Sequence, residues 1–260
     1  MKLEYKQFDF TDTLREIDSV LKPENDQLIP KNQFVPNLKS ATECAYAGVI
    51  AVCVRMKAYD NSNLEALQRS YELVKQVLLD IFRDNDDCID TICIGRYLCG
   101  IYNVPVTTNV NGLIITMAKL NAALSVLDVK LYNRFKIHVQ GNCGCDYGAL
   151  FRVQTSYSKY DKIENESNNT DKRKESKRND SINDNKNVYE TWHGAALNLA
   201  MLFAEHTIIN DKNGTIISET IKSNIKEEFA NFFPTYDSLL GGYWSSLVDS
   251  QMFEWVKVNR

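Results

Sequence analysis

A short apolar run that ends at an arginine constrains the fold of this chain most strongly. Residues 49–54, VIAVCV, are small or β-branched apolar residues, which is typical of a buried strand. Arg55 follows directly, and the polar residues after it predict a turn. The chain therefore has to build a sheet in which this strand is covered.

A second stretch predicts a tight β-hairpin. Residues 88–94 and 97–102 are both rich in Ile, Tyr, Cys and Leu, and Gly95-Arg96 separates them. A glycine between two strand-like runs is the expected residue for a short turn, because it adopts left-handed backbone angles at little cost. We therefore place Arg96 at the tip of the hairpin.

The remaining elements predict an α+β sandwich, a mostly antiparallel sheet with helices on one face. Apolar residues at helical spacing predict helices, and alternation predicts strands. The predicted elements are a strand at 47–56, helices at 62–83 and 108–127, strands at 135–140 and 148–157, a helix from Ala195 to His206, a strand at 215–217, a helix at 219–229, and a final strand with a short terminal turn.

The chain divides into a lead-in and one domain. Residues 1–45 are polar with a short amphipathic helix, and residues 46–260 form the domain. Residues 158–187 interrupt it with mixed charges and almost no apolar side chains, so they cannot bury enough surface to offset their ordering entropy. A flexible inserted loop is favoured here, and a charged docking arm is the alternative.

Composition excludes several classes of protein. The net charge of −4 gives no support for nucleic-acid binding, which usually needs a basic surface. The polar N-terminus does not resemble a signal peptide, and we find no apolar run of membrane-spanning length, so we expect a cytoplasmic protein without a membrane partner. Seven cysteines in such a chain favour reduced thiols. The Cys143-Gly-Cys145 pair lacks a second pair or a suitably spaced histidine, which argues against zinc.

Four local patterns, in this order, resemble the class III adenylate/guanylate cyclase family. They are the strand end at 55–59, the hairpin at 95–105, the helix start at 194–202, and the segment at 216–219 that opens a later helix. The resemblance spans roughly residues 46–256. It implies the palm-like nucleotidyl cyclase fold and active sites formed between two such domains. In size the chain is closest to the stand-alone pyrimidine cyclases of bacterial antiphage systems.

The departures from this family fall on the residues that carry its chemistry. The resemblance implies two metal-binding aspartates, which hold the two ions that activate the 3′-hydroxyl and bind the triphosphate. Arg55 and Arg96 stand there instead. The transition-state arginine corresponds to Leu202. The base-reading positions correspond to Ile92 and Thr191. Asn198, at the position that orients the ribose, is kept, so no catalytic residue is assigned beyond it.

Two interpretations of the arginines remain open. They are structural and pair with nearby acids such as Asp60 or Asp90, or they bind phosphate without a metal, since a guanidinium is always charged and matches phosphate oxygens. Asp60 and Asp90 are not spaced to replace the metal ligands. We therefore assign no metal site, and Mg²⁺ or Mn²⁺ is implied only for an active enzyme.

Two residues before the predicted third helix are also ambiguous. Trp192 could stack on a base, but a core or interface aromatic is favoured. His193 has no paired nucleophile in the sequence, which leaves it little support as a general base.

These patterns favour a catalytically degenerate cyclase homologue that works by binding. The expected partners are a second copy, an intact cyclase to which the chain lends Asn198, or a nucleoside triphosphate or cyclic nucleotide. An active cyclase, possibly for pyrimidine nucleotides, is the alternative, and a metal-independent nucleotide sensor that uses Arg55 and Arg96 is a further one. The high Asn, Lys, Ile and Asp content suggests a bacterial source with an AT-rich genome.

Overall fold

The described part of the chain consists of one mixed sheet with helices packed on it. The computed structural model describes residues 44–58, 64–157, 187–206 and 214–259. The strands are β1 (Cys44–Ala58), β2 (Cys88–Ile94), β3 (Tyr97–Tyr102), β4 (Ile137–Tyr157), β5 (Asn187–His193), β6 (Thr215–Ser218), β7 (Thr235–Asp237) and β8 (Gly242–Ser245). The helices are α1 (Leu64–Arg83), α2 (Thr107–Phe135), α3 (Ala195–His206), α4 (Glu219–Asn224), α5 (Glu227–Ala230) and α6 (Ser250–Asn259).

The sheet is mainly antiparallel, and its order is β2-β3-β1-β4-β6-β8-β7. β1 lies between β3 and β4 and pairs with both of them in antiparallel register. The one parallel pairing among the described strands joins β4 to β6, and β5 pairs with the far end of β4. This arrangement confirms the α+β class predicted from the sequence.

Alternation along β1 divides the core into two layers, since successive side chains of a strand point to opposite faces. Ile50, Val52 and Val54 point toward a large cluster that includes residues of α1 and α2. Val49 and Ala51 point the other way, into a smaller cluster with α3. The two long helices, α1 and α2, therefore share one face of the sheet, as predicted. α3 packs on the opposite face, which the prediction of helices on one face did not include.

Small residues allow α3 to approach the sheet closely. Gly144 of β4 lies beneath the helix, and a Cβ atom there would come within 2.0 Å of the backbone oxygen of Ala200. Gly148, farther along the same strand, has only Ala196 nearby, with its Cβ at 3.5 Å. The glycines of this segment therefore allow a helix to pack directly on the strand. β4 is accordingly continuous between residues 140 and 148, where the sequence predicted a break between two strands.

Several other boundaries differ from the sequence prediction. α2 continues past residue 127 because Leu127 and Leu131 extend its buried face, and it ends where Lys136 adopts a left-handed conformation with φ of 55°. The predicted helix at 219–229 is two helices, broken at Ile225. The final turn is the helix α6, and β5 was not predicted. Ser218 caps α4 as predicted, since its hydroxyl oxygen accepts a hydrogen bond from the Ile221 amide.

The expectation that no apolar run reaches membrane-spanning length is wrong. Residues Thr108–Phe135 are long and apolar enough to cross a membrane by length and composition, and no other helix in the described ranges passes that test. Two-thirds of its most apolar window is buried inside the protein, since the helix fills the core beneath the sheet.

The predicted lead-in and the insertion lie almost wholly outside the described residues. The lead-in at 1–45, its short helix and the insertion at 158–187 therefore remain predictions.

A pair of alanine substitutions in β4 tests the close contact of α3. Gly144→Ala should lower the free energy of unfolding by about 3 kcal/mol, the upper end of the usual cost of overpacking, because its Cβ meets rigid helix backbone. Gly148→Ala is the matched control and should change it by less than about 1 kcal/mol. Urea unfolding measures both, and equal effects would contradict the packing described.

Candidate functional site

Arg55 lies near the end of β1 on the face of the sheet that α3 covers. It is two residues beyond Cys53, which points into the layer beneath that helix, so the alternation of the strand directs Arg55 to the same side. Gln140 of β4 is its cross-strand partner. The side chain is 41% exposed.

Arg96 lies beside it because the tip of the hairpin is fastened to β1. Gly95 has a φ of +57°, which allows the two-residue turn between β2 and β3. The backbone oxygen of Arg96 accepts a hydrogen bond from the Val54 amide at 2.9 Å. The two predicted arginines are therefore brought together.

Both guanidinium groups converge on a single carboxylate from α3. Glu205 Oε1 accepts a hydrogen bond from Arg55 Nη2 at 2.8 Å and one from Arg96 Nη2 at 2.5 Å. Its other oxygen, Oε2, accepts hydrogen bonds from Tyr97 Oη at 2.6 Å and from Cys53 Sγ at 3.4 Å. We call these five residues the Glu205 cluster.

The cluster carries a net charge of +1 at neutral pH. Burial alone would raise the pKa of Glu205, but hydrogen bonds from Tyr97 and Cys53 and the charges of Arg96 and Arg55 outweigh it and hold the pKa below its usual value. The carboxylate is therefore ionised, and it neutralises one of the two arginines.

The two neutral donors of the cluster keep their protons at neutral pH. Burial, followed by the charge of Glu205, raises the pKa of the Cys53 thiol to about 11. Partial burial and the hydrogen bond to Glu205 raise the pKa of Tyr97. Both groups therefore remain donors to the carboxylate, and Cys53 is not activated as a nucleophile.

Both arginines are paired with an acid, although with a different one from those considered. Asp90 Oδ2 accepts a hydrogen bond from Trp192 Nε1 at 2.7 Å and has no contact with either arginine, and Asp60 lies outside the described residues. Glu205 was missed because it is 150 and 109 positions away from its two partners. The signal available in the sequence was the position of Glu205, because an acidic residue in the last turn of a helix is unfavourable.

Asn198 does not reach the Glu205 cluster within the same chain. It lies on α3 seven residues before Glu205, or about 10 Å along the helix axis. Leu202 lies between them on the same helical face, and both side chains are exposed. This face is therefore open to contacts outside the described chain.

The two proposed base-reading positions lie away from the arginines in different parts of the sheet. Ile92 is half-buried in β2 and packs on the smaller core cluster. Thr191 is exposed in β5, where its hydroxyl lies 3.0 Å from Nε2 of His193, whose ring stacks on Phe151. Trp192 is buried in the core, as favoured from the sequence, with its ring beneath the guanidinium of Arg152.

The described residues do not offer the ligands of a two-metal site. No group of three or more His, Cys, Asp or Glu side chains among them could hold a metal ion. Cys143 and Cys145 are both buried in the larger core cluster, and the Cys143 thiol donates a hydrogen bond to Asn121. Where the resemblance implies two carboxylates, Arg55 and Arg96 present positive charge, which does not fit a divalent cation.

An open cleft of about 470 Å³ adjoins the cluster on the side of Arg55. Its lining residues are Arg55, Met56, Lys57, His138 and Gln140. They come from facing positions of β1 and β4, where Lys57 pairs with His138. Two of them are permanent cations, which makes the cleft suited to anionic groups.

Comparison with known proteins identifies the fold. No protein-family model and no curated protein sequence matches the chain. Among solved structures it resembles a class III adenylyl cyclase-like ATP-binding protein from Pseudomonas aeruginosa, with a TM-score of 0.56, 10% identity, and coverage of 93% of this chain and 48% of that one. It also resembles the guanylyl cyclase Cya2 (TM-score 0.50, 10% identity, coverage 71% and 80%) and a bacterial light-regulated adenylyl cyclase (TM-score 0.50, 10% identity, coverage 96% and 67%). The chain therefore has a class III nucleotidyl cyclase-like fold and spans about half the length of the ATP-binding protein.

The stability that Glu205 provides should depend on pH. Because its folded-state pKa lies below the ordinary value of 4.5, its contribution is complete above that value and is lost as the pH falls through the lowered pKa. Glu205→Gln should therefore cost about 1 kcal/mol of unfolding free energy at pH 7, with a cost that shrinks toward pH 3.

Urea unfolding at both pH values measures this difference. Glu254→Gln, which breaks an exposed ion pair with Lys257 in α6, is the control and should change stability by less than about 0.5 kcal/mol. A cost for Glu205→Gln that is the same at pH 7 and pH 3 would show that the ion pairs are not its source.

Proposed function

We propose that the protein is a non-catalytic nucleotidyl cyclase homologue that works by binding the phosphate groups of a nucleotide. The observation that carries the proposal is the Arg55–Glu205–Arg96 contact at the strand end and hairpin tip, where the family resemblance implies a pair of metal-binding aspartates. Scaffold features of the cyclase fold are kept while the groups of its chemistry are changed, so binding is retained more readily than catalysis.

The arginines can replace only part of what two metal ions do. A divalent ion lowers the pKa of a bound oxygen and so prepares a nucleophile, whereas a guanidinium stabilises negative charge without removing a proton. Arg55 and Arg96 would therefore hold phosphate oxygens but leave the ribose hydroxyl unactivated. We derive no reaction step through Mg²⁺ or Mn²⁺.

Two features support a nucleotide as the ligand. The contacts to Glu205 use one Nη atom of each guanidinium, and the cleft beside Arg55 adds the cation of Lys57. One of the structures that share this fold is described as an ATP-binding protein that is cyclase-like.

A second chain is the proposed partner, either another copy or an intact cyclase. The exposed face of α3 supports this, because it presents Asn198 and Leu202 together, about two turns from the arginines of the same chain. Across a two-fold interface, Asn198 of one protomer would lie near the arginines of the other. Sedimentation velocity at micromolar concentration tests this, and a strict monomer that also binds no cyclase would refute it.

An active cyclase with atypical residues is the competing function, with a bacterial antiphage role as its setting. It requires a metal site at the strand end and the hairpin tip, where Arg55 and Arg96 stand in place of the carboxylates that the family resemblance implies. We propose the binding function in preference because Arg55 and Arg96 would repel the metals that such an enzyme needs.

Incubation with nucleotides should yield no cyclic product. The purified chain is incubated with each of the four nucleoside triphosphates and Mg²⁺ or Mn²⁺, and products are separated by chromatography beside a working class III cyclase. The expected signal equals that of a protein-free blank, because no group activates the 3′-hydroxyl. A cyclic nucleotide formed by the wild type and lost in Asn198→Ala would overturn the proposal.

Nucleotide binding should not need a metal. Calorimetry in EDTA and in Mg²⁺ should give similar affinities for a nucleoside triphosphate, which weaken as salt is added because partly exposed charges are screened. Arg96→Ala should cost about 1.5–3 kcal/mol of binding free energy, the usual value for a hydrogen bond to a charged group.

Arg69→Ala is the matched control for this measurement. Arg69 is an exposed arginine on α1, where it forms an ion pair with Glu65, so its loss should leave nucleotide affinity unchanged. The proposal fails if no nucleoside triphosphate or cyclic nucleotide binds at millimolar concentration.

A further inference from the structure

The Glu205 cluster has the composition of an anion-binding site. Four hydrogen bonds reach one carboxylate, two at each oxygen, and all four donors come from β1 or the hairpin. Two of the donors are guanidiniums, which form the strongest hydrogen bonds to anions. The anion that occupies this site in the structure belongs to the protein itself.

The position of Glu205 on its helix makes it an easily displaced occupant. It lies in the last turn of α3, where the backbone carbonyls carry partial negative charge and disfavour an acidic side chain. The neighbouring Ala204 is fully buried and anchors the helix, while the Glu205 side chain is 28% exposed. Rotation of this one side chain, or fraying of the last turn, would empty the site without moving the body of α3.

The charges also favour a phosphate over a carboxylate. Glu205 supplies one negative charge to two arginines, so the occupied cluster keeps a net positive charge. A terminal phosphate carries up to two negative charges and presents three oxygens, which suits two guanidinium groups. The cleft with Lys57 begins at Arg55 and leaves room for further phosphates, while His138 in its lining has its Nδ1 2.8 Å from Asp128 Oδ1.

We propose that Glu205 is a built-in competitor for the phosphate site, and that the terminal phosphate of a nucleoside polyphosphate displaces it from Arg55 and Arg96. This inference rests on the proposed function, because it concerns the same two arginines. No bond is made or broken in the exchange. The protein is therefore closed in the absence of ligand, and binding frees the last turn of α3.

Neutralising Glu205 should increase affinity. Calorimetry in EDTA with inorganic triphosphate should show at least about tenfold tighter binding to Glu205→Gln than to the wild type, or about 1.4 kcal/mol. Glu254→Gln, the loss of a carboxylate from an ion pair in α6, is the matched control and should leave the affinity unchanged. Adding Arg96→Ala to Glu205→Gln should remove the gain.

Parallel titrations separate the sources of the phosphate. ATP should show the same gain as inorganic triphosphate, and adenosine should show none, because the competition concerns phosphate alone. A gain for adenosine would overturn the inference, since it would mean that the substitution had opened a different site.

Hydrogen exchange on the wild type tests the displacement without a substitution. Saturation with ATP should speed exchange of the amides at residues 203–206, because the last turn of α3 loses the hydrogen bonds that Glu205 accepts from β1 and the hairpin. Exchange in the first turn of α3, beside Gly194, should not change. Slower or unchanged exchange at 203–206 would overturn the inference even if Glu205→Gln failed to fold.

The outcomes distinguish the inference from the proposed function. If ATP binds the wild type and Glu205→Gln binds no more tightly, Glu205 only positions the arginines, and the proposed function stands alone. If Glu205→Gln binds and the wild type does not, Glu205 blocks the site permanently, and both the displacement by phosphate and the proposed function of the wild type fail. If neither protein binds ATP or triphosphate, both the proposed function and the inference fail.

Discussion

One carboxylate connects the three elements that carry the site. Glu205 reaches from the end of α3 to Arg55 on β1 and to Arg96 at the hairpin tip. Without it, two adjacent guanidiniums would repel each other at a tip that the pairing of β1 with β3 and the backbone hydrogen bond between Val54 and Arg96 hold in place. The negative charge of Glu205 relieves this repulsion from within the chain. Without Glu205, a bound anion would have to balance the two positive charges. Glu205 therefore determines how far the positive charge at this end of the sheet is neutralised.

The scaffold makes the contact possible through small residues. α3 lies close to β4 because Gly144 leaves no side chain between them, and a Cβ there would collide with the Ala200 carbonyl. Close packing fixes the distance between α3 and the sheet, and therefore the distance that the Glu205 side chain spans to contact the arginines. The same packing turns Asn198 and Leu202 outward, since residues four apart share a helical face. One face of α3 therefore packs on the sheet, and the face with Asn198 and Leu202 is exposed.

The fold was predictable from local pattern, and the site was predictable only in part. The strand β1, the hairpin with Arg96 at its tip and the bounds of α3 follow from a continuous apolar run, a turn glycine and helical spacing, which are properties of neighbouring residues. β4 was divided wrongly because glycines at 141, 144 and 148 resemble a connection until the packed helix above them is known. The two arginines were placed correctly, but their partner was not, because an ion pair across 150 residues leaves no local trace beyond an acidic residue in the last turn of a helix. Trp192 shows the same limit: its burial was favoured from the sequence, whereas its hydrogen bond to Asp90 was not.

Arg55 and Arg96 stand where the family resemblance implies carboxylates, and under the proposed function the sign of their charge determines what this end of the fold would bind. A site with two carboxylates is negative, attracts divalent cations and binds phosphates only through them. A site with two arginines and one glutamate has a net positive charge, and under the proposed function it would bind phosphates directly without producing an oxygen nucleophile at neutral pH. The thiol and phenol in the cluster do not fill that role, because the pKa values of Cys53 and Tyr97 are both raised. Burial and the negative charge of Glu205 cause those shifts, so the residue that neutralises the arginines also keeps the nearby donors protonated. Under the proposed function, the cluster would therefore hold an anion without reacting with it.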